Sequence, residues 1–383
     1  MNSQLKKLHM PDEERTTGWV FSEHYLWHDT GTYNLLTMPS LTVQPGEHAE
    51  NEATKRRFVN LMEVSSLSEL LVRIKPRVAT EEELLLVHSH AHLKHLKELC
   101  ASGGGEAGGA TPIGPASYHI AQLAVGGVIV GVDAVLQGHV DNVYVLCRPP
   151  GHHAERELVT GFCLLANGAI GVRYARKKYG LKRIAVVDYD VHHGNGCETL
   201  FYNDPDTLTI SIHQNNLFPP SRGAISEIGA GSGEGANINI PLPSGSGREA
   251  YREAFRHIIL PSLYRFQPEI IFVASGFDAS AMDPLAHMML SSSDFRDMTA
   301  SLISVSNELC SGRLVFTHEG GYSSSHVPYC GLAVLEMLSG KRTDIIDPFE
   351  EHIELYGGQS LQPHQSEVIQ EVVRLHGLQS HLI

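Results

Sequence analysis

Residues 184–196 read IAVVDYDVHHGNG, and this stretch decides how the rest of the chain is interpreted. Its first four residues are apolar and rich in valine and isoleucine, which is typical of a strand covered on both faces of a parallel sheet. Asp188, Asp190 and His192 follow at two-residue spacing. Side chains two residues apart in an extended chain point to the same side, so these three can converge while His193 points away. The stretch predicts a buried strand that delivers carboxylates and an imidazole to a sheet edge.

Similar apolar bursts alternate with longer amphipathic stretches along the chain. Strands are predicted at residues 143–146, 184–187, 208–212, 270–274 and 314–316. Helices are predicted at residues 162–179, 248–266, 293–309 and 327–338. This alternation predicts an α/β fold, in which a central parallel sheet has helices on both faces. Ligands of such folds bind beyond the carboxyl ends of the strands, so the site is expected there.

The remaining segments carry weaker signals. After a polar start, the first hundred residues are predicted to be mostly helical, with leucine repeating at helical spacing over residues 81–99. Residues 103–114 are glycine-rich and are predicted to form a surface loop. The histidines within residues 88–95 are interpreted as ordinary helix and surface residues. We expect one catalytic α/β domain over residues 1–383.

Composition narrows the functional classes. The chain has 383 residues and is 42% hydrophobic, which is enough for a large core. Its 29 basic and 43 acidic residues give a net charge of −14, which argues against binding to nucleic acid or anionic membranes. Neither a secretory signal nor a run of about 18 apolar residues is found, so a cytoplasmic protein is expected. The six cysteines form no C-x-x-C pair and predict neither a thiolate zinc site nor a disulfide framework.

Polar clusters follow three further predicted strands. They are Arg148-Pro-Pro-Gly-His-His153, Ser275-Gly-Phe-Asp278 and His318-Glu-Gly-Gly-Tyr322. Asp278 can join Asp190 and His192 as a third ligand, and three protein ligands with an open position are typical of a catalytic metal site. Zinc suits this set of oxygen and nitrogen ligands, although iron or cobalt would also fit.

The paired histidines follow a stiff Pro-Pro-Gly turn. His152 and His153 beside a metal suit general acid–base chemistry, since the imidazole pKa lies near neutrality. Asp188 and Asn195 are candidates for the groups that orient them. Metal ligation or simple surface exposure is the alternative for this pair. Tyr322 follows two glycines and is a candidate donor to developing negative charge.

The four motifs, in the order in which they occur along the chain, resemble those of the zinc-dependent histone deacetylase family. Asn195 resembles class II members, and the length and N-terminal half look most like bacterial histone-deacetylase-like amidohydrolases. The resemblance implies an arginase–deacetylase α/β fold and removal of acetyl or related acyl groups from lysine side chains or similar amides. It further implies that His153 takes a proton from water activated by zinc and later protonates the leaving amine.

The resemblance also implies roles for individual residues. The implied zinc ligands are Asp190, His192 and Asp278. The implied catalytic residues are His152, His153, Tyr322, Asp188 and Asn195, and the implied substrate contacts are Gly161, Phe162, Phe218, Leu285 and Gly320. A structural potassium ion is implied at Asp188, Asp190, His192, Ser211 and Ile212, and a second one at Phe201, Asp204 and Thr207.

Several alternatives stay open. Polyamine-selective relatives carry an acidic residue where this chain has Leu285, which favours acyl-lysine, although Glu23 or Asp29 could supply the charge. A binuclear manganese ureohydrolase would need more carboxylates, and an acyl-lysine binder without catalysis is opposed by the complete catalytic set. The expected partners are an acyl-lysine protein or a small acetyl-amide, and a homo-oligomer is possible.

Overall fold

The computed structural model describes residues 15–378. Ten strands lie within these residues, namely β1 Thr17–Val20, β2 Val72–Ile74, β3 Gly105–Glu106, β4 Pro112–Ile113, β5 Asn142–Val145, β6 Ile184–Asp188, β7 Thr207–Gln214, β8 Asn237–Leu242, β9 Ile270–Ser275 and β10 Leu314–His318. Eight of them form a sheet in the order β2-β1-β5-β10-β9-β6-β7-β8, and all neighbours in it are parallel. Strands β3 and β4 form a small antiparallel pair.

Helices connect and cover these strands. Within residues 15–378 they are α1 Ala53–Val64, α2 Glu81–Leu84, α3 His90–Ala101, α4 Ser117–Leu136, α5 Asn167–Tyr179, α6 Asn195–Phe201, α7 Arg248–Ala254, α8 Leu260–Phe266, α9 Ser292–Cys310, α10 Val327–Ser339, α11 Glu350–Tyr356 and α12 Pro363–Leu375. A π-helical turn, Phe255–Ile259, joins α7 to α8. Helix α9 begins at a capping box formed by Ser291 and Asp294.

The predicted α/β fold is confirmed. Each of the five predicted strands coincides with a strand of the large sheet, and the predicted helices at 248–266, 293–309 and 327–338 are present with shifts of no more than a residue at either end. The helix predicted from residue 162 is wrong at its start, because α5 begins at Asn167. Gly161 and Phe162 have φ values of 53° and 68°. This left-handed backbone cannot continue as a right-handed helix.

The mostly helical prediction for the first hundred residues is also wrong. Strands β1 and β2 join the large sheet there, and residues 28–52 form neither a helix nor a strand. The stretch at 81–99, where leucine repeats at helical spacing, contains two helices, α2 and the greater part of α3. The polar residues 1–14 lie outside the described residues.

Helix α4 lies in the core. Its 20 residues are sufficient for a membrane span by length and composition, but 72% of its most apolar 18-residue stretch is buried inside the protein. It contacts α5, β5 and β10. These packing contacts account for its apolar composition.

The register of the sheet aligns the ends of its central strands. Asp188 at the end of β6 lies opposite Ser211 of β7, and His318 at the end of β10 lies opposite Ser275 at the end of β9. The segments that follow β5, β6, β9 and β10 therefore leave the sheet from one edge. This is the edge at which the polar motifs were expected.

Candidate active site

Two carboxylates and one imidazole converge at this edge. The ligand atoms of Asp190, His192 and Asp278 lie within 4.8 Å of one another, and all three residues are buried. His192 Nδ1 lies 3.1 Å from Asp190 Oδ1 and 3.0 Å from Asp278 Oδ2. A buried set of this kind fits a divalent cation such as zinc.

Glycines allow the backbone to approach these carboxylates. A Cβ atom added to Gly276 would collide with the Asp190 carboxylate, and one added to Gly320 would collide with that of Asp278. The N–H of Gly320 instead donates to Asp190 Oδ2 at 2.7 Å. Gly320 therefore lies against these three side chains, the candidate metal-binding group, and its backbone orients one of them.

The paired histidines lie beside the metal-binding group, and each has a partner on Nδ1. His152 Nδ1 is 3.0 Å from Asp188 Oδ2, and His153 Nδ1 is 2.7 Å from Asn195 Oδ1. The centroids of the two rings are 3.9 Å apart. Because Nδ1 is engaged in both rings, Nε2 of each remains available on the side of the site. The surface-exposed alternative for this pair is thereby excluded, since both residues are buried.

The surroundings shift the pKa values of the two histidines in opposite directions. Burial alone would lower the pKa of His152, but the carboxylates of Asp190 and Asp188 outweigh it and raise this pKa to about 10. Burial holds the pKa of His153 well below its usual value, and the neighbouring His152 and His192 lower it further. Neighbouring groups with separated pKa values are typical of sites that divide acid and base roles.

Aromatic rings surround the approach to this site. The centroid of Phe162 lies 5.7 Å from that of Tyr322, and the centroid of Phe218 lies 4.9 Å from that of His153. A side chain at Gly161 would collide with His153 and crowd Phe218. Burial raises the pKa of Tyr322, as do the nearby carboxylates, so its phenol stays protonated and able to donate. The structure thus brings together the aromatic and glycine residues expected to contact substrate.

Asp283 is a site residue that the sequence interpretation missed. Its Oδ2 accepts the backbone N–H of Tyr322 at 2.7 Å, and its Oδ1 accepts that of Leu285 at 2.9 Å. Leu285 is partly buried beside this carboxylate. The signal available in the sequence was an Asp-Pro pair between Asp278 and Leu285, which is typical of a turn.

Glu319, in the motif that follows β10, has a role that the sequence did not predict. Its Oε2 accepts the backbone N–H of Gly151 at 2.7 Å and that of His152 at 3.1 Å, and its Oε1 accepts the hydroxyl of Thr317 at 2.8 Å. A buried carboxylate after β10 therefore holds the turn that carries the paired histidines.

A second group of possible ligand atoms belongs to His152, Cys163 and Glu319. Each of these residues is already engaged within the protein. Cys163 Sγ accepts the N–H of His153 at 3.4 Å, and the Glu319 carboxylate has three donors. These side chains fit a hydrogen-bonded frame better than the second metal site that a binuclear ureohydrolase would need.

The residues expected around potassium lie between the end of β6 and the middle of β7. Ser211 Oγ accepts the N–H of Gly194 at 3.2 Å and is 2.9 Å from His213 Nδ1. At the second expected position the Asp204 carboxylate is 2.5 Å from Arg176 Nη1 and 3.0 Å from the Thr207 hydroxyl. Arg176 thus pairs with the Asp204 carboxylate, so a cation at this position would be bound by backbone oxygens.

The alternative acidic residues at the rim have other surroundings. Glu23 forms an exposed ion pair with Arg56 at 3.2 Å. Asp29 is exposed and lines a surface cavity of about 260 Å³ together with His48. Within the described residues, neither of these carboxylates forms a hydrogen bond with the backbone of Leu285.

The interpretation of residues 88–95 as ordinary helix and surface positions is wrong for two histidines. His88 and His92 are buried, and their rings stack with centroids 4.4 Å apart. His88 Nε2 accepts the N–H of Ala166 at 2.9 Å, and His92 Nε2 donates to the carbonyl of Leu164 at 2.8 Å. They support the segment that leads from the paired histidines to α5.

Comparison with known proteins agrees with this geometry. Residues 48–338 match the model of the histone deacetylase domain. The chain is 45% identical to a histone deacetylase-like amidohydrolase from Pseudomonas aeruginosa, over 89% of this chain and 90% of that protein. It is 39% identical to a probable deacetylase from Methanothermobacter thermautotrophicus, over 77% of this chain and 86% of that protein.

A solved structure shows the same architecture. The crystal structure of the HDA15 HD domain superposes with a TM-score of 0.83 at 28% identity, covering 94% of each chain. The α/β arrangement is therefore the arginase–deacetylase fold, and the family acts on amide bonds as hydrolases. The chain belongs to the histone deacetylase family.

Proposed function

We propose that this protein is a zinc-dependent amidohydrolase that removes acetyl or related acyl groups from lysine side chains or similar linear amides. The observation that carries the proposal is one arrangement of side chains. The ligand atoms of Asp190, His192 and Asp278 lie within 4.8 Å of one another beside two histidines whose Nδ1 atoms are engaged and a tyrosine that stays protonated.

Asp190, His192 and Asp278 would hold the zinc ion, which lowers the pKa of a bound water and polarises an amide carbonyl. His153 Nε2 accepts the proton of the attacking water and later returns it to the leaving amine. The Tyr322 hydroxyl donates to the oxyanion that develops on the substrate carbonyl. Phe162 and Phe218 flank the apolar alkyl chain of the substrate, and Leu285 lies at the rim.

The remaining expectations stay predictions. Potassium would be bound at Asp188 and Ser211 through side-chain and backbone oxygens, and a second ion would have backbone oxygens near Thr207. We further propose a cytoplasmic protein with one catalytic domain, free of nucleic acid and membrane partners, which can assemble as a homo-oligomer.

A panel of amides tests the proposed function. The purified protein is assayed with acetyl-lysine peptides, trifluoroacetyl-lysine and acetylpolyamines, before and after treatment with a chelator and after zinc is restored. We expect hydrolysis of the lysine amides that falls with the chelator and returns with zinc. Equal rates with and without the metal would overturn the metal mechanism, and a strong preference for acetylpolyamines would replace the acyl-lysine assignment.

Two variants separate catalysis from binding in the same assay. Tyr322→Phe and His153→Ala are expected to lower kcat by about 100-fold or more, since each removes a donor or a proton acceptor at the reacting atoms. Unchanged turnover in both variants would assign catalysis to other residues, whereas binding of acyl-lysine peptides without turnover by the unaltered protein would favour an acyl-lysine binder.

A further inference from the structure

The amide of Asn195 is held in one orientation by acceptors on its nitrogen side. Nδ2 lies 2.8 Å from Glu155 Oε1 and 3.2 Å from the backbone oxygen of His153. An amide nitrogen donates two hydrogen bonds and accepts none, whereas a carboxylate and a carbonyl only accept. Turning the amide over would bring its oxygen against both acceptors. Asn195 is only 1% exposed, so bulk water cannot replace the hydrogen bonds that such a turn would break.

This orientation decides which nitrogen of His153 carries the proton. Asn195 Oδ1 faces His153 Nδ1 at 2.7 Å, and an amide oxygen has no hydrogen to donate. The hydrogen bond therefore requires the proton on Nδ1, which leaves Nε2 as the acceptor. A base in the proposed reaction needs this tautomer, because it must accept a proton at Nε2.

We propose that Glu155 is a positioning residue that sets the tautomer of His153 through the amide of Asn195. This inference rests on the proposed function and deepens it. A carboxylate at position 195 would accept a hydrogen bond from His153 Nδ1 in either orientation, but an amide has two different ends and needs a group that distinguishes them. Glu155 supplies this group from the loop that follows the paired histidines. Its side chain is 16% exposed, and its Oε1 also lies 3.5 Å from Nη1 of the charged Arg222.

Reversing the charge at Glu155 tests the proposal. In Glu155→Lys the new ammonium donates where the carboxylate accepted, and of the two acceptors on that side of the amide the backbone oxygen of His153 is the one left. Because a hydrogen bond from an ammonium is stronger than one to a neutral carbonyl, we expect the amide to turn its oxygen toward the lysine and its nitrogen toward His153 Nδ1. Nδ1 must then accept, and the proton moves to Nε2. We expect kcat to fall by about 100-fold with KM changed by less than about threefold, because general-base catalysis contributes about this much. Glu155→Gln keeps an acceptor oxygen and is expected to retain most of the activity.

A second substitution should rescue the first. In Glu155→Lys combined with Asn195→Asp, the new carboxylate accepts from both the lysine and His153 Nδ1, so at least about tenfold of the lost kcat should return. Glu157→Lys is the matched control, since this exposed residue lies in the same loop and makes the same change of charge. Thermal unfolding of every variant shows which of them fold.

The outcomes distinguish this inference from the proposed function. If the unaltered protein and Glu157→Lys both lack metal-dependent deacetylation, the proposed function fails. If they are active and Glu155→Lys keeps its kcat, or the double variant shows no rescue while folded, the role of Glu155 fails. Long-range proton–nitrogen NMR spectra of histidine-labelled protein, assigned with His153→Gln, report the tautomer without an activity assay. A proton on Nδ1 in both the unaltered protein and Glu155→Lys would also overturn the role of Glu155.

Discussion

The carboxylate of Asp283 accepts the backbone N–H of Tyr322, with 2.7 Å between Oδ2 and the nitrogen. The same carboxylate accepts the N–H of Leu285 through its other oxygen. One buried side chain thus connects Tyr322, the proposed oxyanion donor, to Leu285 at the rim of the proposed substrate site. Burial, together with the nearby Asp278 charge, raises the pKa of Asp283 to about 8. The local geometry of the tyrosine therefore depends on a residue that does not itself touch the substrate.

Removing this carboxylate should disturb Tyr322 more than it disturbs the metal-binding group. Asp283→Ala leaves two backbone N–H groups without their acceptor, which costs about 1–3 kcal/mol for each group that stays buried. We expect a fall in kcat and a lower unfolding temperature, with zinc content unchanged. Kinetics, thermal unfolding and metal analysis of the purified variant provide the check. A variant with normal kcat would show that Tyr322 is positioned without Asp283.

Glu319 should act through its hydrogen bonds and not through its charge. Burial raises the pKa of Glu319 to about 7, and an amide of the same shape can accept the N–H groups of Gly151 and His152 while donating to the Thr317 oxygen. Glu319→Gln is therefore expected to keep kcat within about threefold. Glu319→Ala frees the turn that carries His152, and misplacement by about 1 Å costs about 100-fold in rate. Equal losses in both variants would assign the effect to charge instead.

His88 should make stability depend on pH. Burial, with a smaller effect from His92, lowers its pKa to about 3, and its Nε2 accepts the N–H of Ala166. In the unfolded chain its pKa is about 6.5. Between about pH 6.5 and pH 3, His88 therefore binds a proton in the unfolded state but not in the folded state. Stability contributed by neutral His88 is therefore present above about pH 6.5. It is lost as the pH falls, by up to about 1.4 kcal/mol per unit.

Denaturant unfolding from pH 7 to pH 5 measures this dependence. His88→Gln should be less stable at pH 7 and should lose stability less steeply as the pH falls. His95→Gln is the matched control, because His95 is exposed on the neighbouring helix α3. If both variants show the slope of the unaltered protein, His88 does not contribute to the acid sensitivity.

Glu50 should be needed to neutralise two buried cations. Its Oε1 lies 3.0 Å from Lys55 Nζ and 2.9 Å from Arg148 Nε, and all three side chains are at most 1% exposed. Burial would raise the pKa of Glu50, but Arg148 and Lys55 outweigh it and hold this pKa far below its usual value. Glu50→Gln leaves the cations uncompensated and should cost about 3–5 kcal/mol.

The stability that the Glu50 carboxylate contributes depends on pH. Its contribution is present above the unfolded pKa of about 4.3 and is lost as the pH falls below that value. The difference in unfolding free energy between Glu50→Gln and the unaltered protein should therefore shrink below about pH 4. Glu52→Gln, at a half-exposed position nearby, serves as the control. A difference that stays constant down to pH 3 would contradict this account.

The sequence by itself determined the alternating architecture and the edge that carries the site. Both follow from local rules: runs of valine and isoleucine form buried strands, and groups that follow parallel strands meet at one edge. Asp190, His192 and Asp278 could be found in this way because each lies within four residues of the end of a strand. Short strands such as β1 and β2 were missed, since their pairing depends on neighbours that are distant in the chain.

Only the tertiary structure decided what supports the site. Glu319 meets Gly151 across 168 positions of sequence, and Glu155 meets Asn195 across 40. In these contacts a carboxylate accepts a hydrogen bond from a backbone N–H group or from a side-chain amide. The distance along the chain between the two partners follows no recognisable pattern. The residues that perform the proposed chemistry thus follow local patterns, whereas those that hold them in place are specified by packing between distant segments.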